Sequence, residues 1–82
     1  MNQIADIVPV LVELLKPYNQ ENKTLTAATD IPAELNIDSV GVLDFIMDVE
    51  DKYDTEIPIN AVANIRTIGE LVKYVFDKLN KE

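Results

Sequence analysis

The chain has 82 residues, 48% of them hydrophobic, no Cys, and fifteen acids against seven bases for a net charge of −8. A chain of this length reads as one domain, residues 1–82, with a modest core and no disulfide framework. The acidity argues against nucleic-acid binding and against an anionic membrane surface, because both need clustered Lys and Arg. No run of about 18 apolar residues is present to span a bilayer. No basic stretch precedes the first apolar run, as it would in a secretory leader. A cytoplasmic protein is therefore expected.

In chain order, Ile4, Val8, Leu11 and Leu15 recur at helical spacing, with Ile7 and Leu14 beside them. Pro9 removes a backbone donor and crowds the preceding turn, so it kinks a helix unless it sits in the first turn. Either Asp6 caps a short helix, or a helix from about Gln3 bends near residue 5. The helix is expected to end at Lys16, because Pro17 disfavours helical backbone at the residue before it. A polar segment from Pro17 to Ile37 follows, long for a loop without a role, with Leu25, Ile31 and Leu35 expected to pin it to the core.

The second helix starts at Asp38 or Ser39, both good N-caps, and runs to Tyr53, where "TEIPIN" stops it. A short third helix is expected from Asn60 to Asn64. The fourth begins at the capping box formed by Thr67 and Glu70. Ile68, Leu71, Val72, Val75, Phe76 and Leu79 then mark one apolar face. The expected fold is all-α: a small four-helix bundle of three longer helices and one short helix, with a long loop between the first two.

The second helix has more apolar surface than a core face requires. At about 100° per residue, Val42, Phe45, Ile46, Val49 and Tyr53 gather on one side. Val40, Leu43 and Met47 fall on another arc, among Asp44, Glu50 and Asp51. Either the long loop covers Val40 and Leu43 while Met47 fills a gap, or these residues anchor a partner and the acids orient it. Nine acids and one base, Lys52, lie between Asp30 and Glu56, which either makes a solubilising surface or suits basic docking patches. "DVEDKYDTE" lacks the alternating acids and turn glycine of a calcium loop, so no specific metal site is expected.

Ser39 heads this helix. As a nucleophile it would need a base, and the chain has neither His nor an S-x-x-K pair, so no catalytic residue is assigned. As a cap it is ordinary, which is the role of most serines before an apolar helical run. As an attachment point it has a physical case, since a phosphodiester on its oxygen would meet free N–H groups and the favourable end of the helix dipole.

"IDSV" (Ile37 to Val40) resembles the Asp-Ser-Leu motif of acyl carrier proteins, and the resemblance continues through "LDFIMDVEDKYDTEIP" and "IRTIGELVKYV". It spans residues 35–79. The resemblance implies that Ser39 takes 4′-phosphopantetheine from coenzyme A through a separate phosphopantetheinyl transferase, with Asp38 assisting. The arm's thiol would then hold acyl or aminoacyl groups as thioesters in fatty acid or related specialised metabolism. It implies that Val40, Leu43, Asp44, Met47, Glu50 and Asp51 form the face read by loading ligases, synthases and transferases. It further implies that Ile57 and Ile65 line a gap for the acyl chain, and that the carrier is a monomer and not a catalyst. Val40 stands where that family usually has Leu, Gly41 where a polar or acidic residue is usual, and Leu-Asn-Ile where Leu-Gly-X is frequent. Asp-Ser-Val-Gly is similar also to D-alanyl carrier proteins and to carriers served by dedicated ligases. The competing reading is an acidic helical interaction module in which Ser39 is only a cap.

Overall fold

The computed structural model describes residues 4–80. Helix α1 (Ile4–Leu15) continues into a 3₁₀ turn (Lys16–Tyr18), then come a long loop, α2 (Ile31–Glu34), α3 (Ser39–Tyr53), α4 (Ile59–Val62) and α5 (Ile68–Leu79). Three long helices and short connecting ones make the all-α bundle expected, with one more short helix than the sequence pattern indicates. The core joins Ile7, Leu11 and Leu15 of α1 to Phe45, Ile46 and Val49 of α3 and Ile68, Leu71, Val72 and Val75 of α5.

The buried stripe of α1 is Ile7, Leu11 and Leu15, not the row starting at Ile4, which is 47% exposed. The stripe rises every fourth residue, and Val8 and Leu14 pack partly against the core on its flanks. Asp6 does not cap a short helix, because it lies inside α1, which runs unbroken through Pro9. Pro9 and Ala5, whose carbonyl Pro9 leaves without its usual donor, are both exposed. Gln3, the alternative start, lies outside the described residues. The chain stays helical past Lys16, as a tighter turn that includes Pro17.

Helix α2 lies inside the segment read as loop. Its sequence signal is local and short: the Asp30 side chain accepts from Ala33 N–H at 3.0 Å, and Pro32 stands in the first turn, where its missing donor costs nothing. The helix ends in a Schellman-type closure, with Ile37 N–H donating to Pro32 O at 3.1 Å. Asn36 takes the left-handed conformation there, φ 55°. That conformation favours Gly and tolerates Asn, which gives a physical reason why Asn can stand where related motifs have Gly.

The rest of the loop is stitched to the start of α5. Ile31 N–H donates to Arg66 O at 2.7 Å, Ile68 N–H to Thr29 O at 3.1 Å and Gly69 N–H to Ala27 O at 2.8 Å. Loop carbonyls thereby satisfy two of the N–H groups that a helix start leaves open. A Cβ on Gly69 would lie 2.9 Å from Ala27 O, so only glycine permits this approach. Ile31 and Leu35 are buried and Leu25 half-buried, so the three expected pins hold the loop down.

Candidate functional site

Helix α3 begins by using Asp38, not Ser39, as its cap. The Asp38 backbone is extended (φ −80°, ψ 178°) and its Oδ1 accepts from Gly41 N–H at 2.8 Å. Ser39 is the first helical residue and is exposed. Among the described residues no hydrogen bond engages the Ser39 hydroxyl. The Ser39 and Val40 N–H groups at this open end precede any possible intrahelical carbonyl partner. An exposed oxygen beside two outward N–H groups suits a phosphodiester, which needs one ester oxygen from the protein and benefits from donors to its anionic oxygens.

Along α3, Phe45, Ile46 and Val49 face the core, and Val42 and Tyr53 are half-buried on its edges. Val40 is 67% exposed, Met47 62% and Leu43 37%. The long loop therefore does not cover them. Asp44 and Asp51 are exposed on the same helix. Glu50 differs: its Oε2 accepts from Ile57 N–H at 2.7 Å, tying the α3–α4 connection back to α3. A carboxylate held this way is partly committed to the fold, which a wheel drawn for one helix does not reveal. Asp54 adopts φ 52° at the C-cap and lets the chain reverse toward Ile57.

Ile57 and Ile65 are not brought into one groove. Ile57 is buried in the core and borders an open groove of about 910 Å³ together with Met47, Glu50, Asp51 and Lys78. Ile65 is half-buried against the core and does not line that groove. Helix α4 spans Ile59–Val62, a little earlier than the expected Asn60–Asn64. Its first residue, Ile59, is 74% exposed. Sequence reasoning missed it, since a four-residue helix gives no periodicity to read. A second groove, of about 540 Å³, lies at the start of α3, between the 3₁₀ turn, the loop and α2.

The electrostatics divide the same way. Asp30 and Glu70, at the loop–α5 junction, hold their carboxyls below the usual carboxylate range. For Asp30 the main cause is the hydrogen bond from Ala33 N–H, followed by Arg66, whose Nε lies 3.0 Å away. For Glu70 it is the N–H groups of Arg66 and Thr67, at 2.8 and 3.0 Å. Burial, assisted by Asp48 and Asp44 of α3, pushes the Tyr18 phenol up. Among the described residues no three carboxylates converge to hold a metal ion. Among them, too, no helix is long and apolar enough to cross a membrane.

Residues 7–75 match the family model described as the phosphopantetheine attachment site. The acyl carrier protein of Lactobacillus acidophilus is 31% identical over 90% of this chain and 85% of its own length. The meromycolate extension acyl carrier protein of Mycolicibacterium aurum is 31% identical over 94% of this chain and 79% of its own. In fold, a mitochondrial acyl carrier protein specific to Toxoplasma superposes with a TM-score of 0.86 at 20% identity, covering 98% of this chain and 94% of that one. The chain belongs to the acyl carrier protein family, whose shared feature is a covalently bound 4′-phosphopantetheine arm. Family membership decides between the two readings of the acidic helix in favour of the carrier.

Proposed function

We propose that Ser39 is the residue that carries the arm, and that residues 1–82 act as one non-catalytic, monomeric carrier domain. The observation that carries this reading is the exposed Ser39 hydroxyl on the first turn of α3, released from capping by Asp38. In the loading step the Ser39 oxygen attacks the phosphorus next to pantetheine in coenzyme A. A serine–phosphate ester bond forms, a diphosphate P–O bond breaks, and adenosine 3′,5′-bisphosphate leaves. The transferase's base takes the hydroxyl proton, since this chain offers no His.

The partner face consists of Val40, Leu43 and Met47 as apolar anchors, with Asp44 and Asp51 to steer basic patches. Glu50, whose Oε2 holds Ile57 N–H, offers that face its other oxygen. The names of the relatives support an acyl cargo; Ile57, buried beside the groove at the α3–α4 turn, and Ile65, half-buried against the core, are separate contacts such a chain would meet. A cytoplasmic setting fits this role.

The test is to incubate the protein with coenzyme A, Mg²⁺ and a promiscuous phosphopantetheinyl transferase and to record the intact mass. One phosphopantetheine increment on the wild type, absent from Ser39→Ala, is the expected result. An increment that survives in Ser39→Ala would move the attachment elsewhere.

A further inference from the structure

The groove of about 540 Å³ beside the start of α3 has no role in the carrier reading so far. Asp38 and Gly41, which flank Ser39 in the chain, both line it. Its walls are polar: Asn19, Gln20, Glu21, Lys23, Glu34 and Asn36 contribute, with Tyr18, Leu35 and Ile37 as the apolar part.

These walls are built and held. Asn19 and Lys23 exchange two hydrogen bonds, Asn19 Nδ2 donating to Lys23 O at 2.9 Å and Lys23 N–H to Asn19 Oδ1 at 3.0 Å. Lys23 Nζ then reaches across to Glu34 O at 2.7 Å, which ties the loop wall to the α2 wall. The Tyr18 ring is set edge-on against buried Phe45, with centroids 6.3 Å apart. Gly41 forms part of the floor, and a Cβ there would overlap the Ile37 methyl group. Glycine weakens a helix. Here it allows Ile37 to lie close against the first turn of α3.

Pantetheine has matching chemistry. It carries two amides and a hydroxyl, which seek polar partners, and a geminal dimethyl group, which seeks a small apolar contact. We propose that in the holo form, before any acyl group is loaded, the pantetheine arm on Ser39 lies back into this groove. In that position the dimethyl group meets Tyr18 and Ile37, and the amides meet the Asn19, Lys23 and Asn36 wall. The proposal rests on attachment at Ser39. It gives Gly41 a role: its missing side chain makes room for the Ile37 methyl that the arm meets. The unloaded arm thus has a polar berth on one side of α3, separate from the route past Ile57.

The experiment is solution NMR on the isotopically labelled holo protein, loaded in vitro and checked by intact mass, against the apo form. Nuclear Overhauser contacts from the geminal methyls to the Tyr18 ring and Ile37 methyls are expected, with amide shifts at Asn19, Lys23 and Asn36. Arm contacts to Ile57 or Ile65 instead, or shifts confined to residues 38–40 with no contacts to the groove, would overturn the groove while leaving attachment intact. Absence of the mass increment would overturn attachment at Ser39, and the groove proposal with it.

Discussion

Two helices of this protein start in opposite ways. At α5 the capping groups at the start are engaged. Thr67 Oγ1 accepts from Glu70 N–H at 3.1 Å and the Glu70 carboxylate returns to Thr67 N–H. Loop carbonyls take Ile68 and Gly69 N–H, and Arg66 reaches Asp30. At α3 one bond, from Gly41 N–H to Asp38, does the capping, and Ser39 is left in water. One hydroxyl is spent on structure and the other is left exposed. The contrast shows that a good capping residue type says little about use until its neighbour is known.

The sharpest test of this contrast is a pair of substitutions. Ser39→Ala should abolish phosphopantetheine incorporation completely, while stability changes by no more than about 0.5 kcal/mol, as for an ordinary surface site. Thr67→Ala should do the reverse, costing about 1 kcal/mol in urea unfolding while incorporation stays complete. If Ser39→Ala lost as much stability as Thr67→Ala, the assignment of the cap to Asp38 would be wrong.

The two glycines sharpen the comparison next. Gly69→Ala should cost about 1–3 kcal/mol, because its new methyl meets the Ala27 backbone, which cannot move without breaking the loop stitches. Gly41→Ala should cost less. Its obstacle is a half-buried side chain, and alanine restores up to about 1 kcal/mol of helix propensity. Equal losses in chemical unfolding would contradict this ordering.

Acid should act on the α5 end. Asp30 and Glu70 have carboxyls lowered on folding, so each adds stability above its unfolded value and loses it as pH falls through the folded one. Glu70→Gln keeps the capping shape without the charge. The wild type should melt above this variant near neutrality, and the gap should close below about pH 4. A gap that is constant from neutral to acidic pH would show that the charge contributes nothing there.

The smallest effect belongs to the α3 face. Salt should raise the melting temperature modestly as it screens the crowded carboxylates, since the screening length falls from about 30 Å at 0.01 M to about 8 Å at 0.15 M. Sodium and magnesium salts at equal ionic strength should act alike, because no three carboxylates converge among the described residues. A much larger magnesium effect would reveal a site.

Much of this was legible in the residues. Helix α3 ends at Tyr53 and α5 starts after Thr67 as the caps and the apolar period indicate, and both are local signals. Val40, Leu43 and Met47 stand out because three apolar residues among acids are surplus to one core face. Less legible were α2, four residues long, and the stripe of α1, where apolar residues on both flanks blur the phase.

The sequence by itself determined the long helices, the capping box and the Asp38–Ser39 pair at the head of α3, because these depend on residues within a turn or two of each other. Only the tertiary structure decided which of that pair caps the helix, since the choice depends on how the chain arrives from α2 through the left-handed Asn36. It alone turned Glu50 toward Ile57 and joined Asp30 to Arg66, 36 residues apart. Those contacts form when separate elements pack, and no periodicity along the chain encodes them.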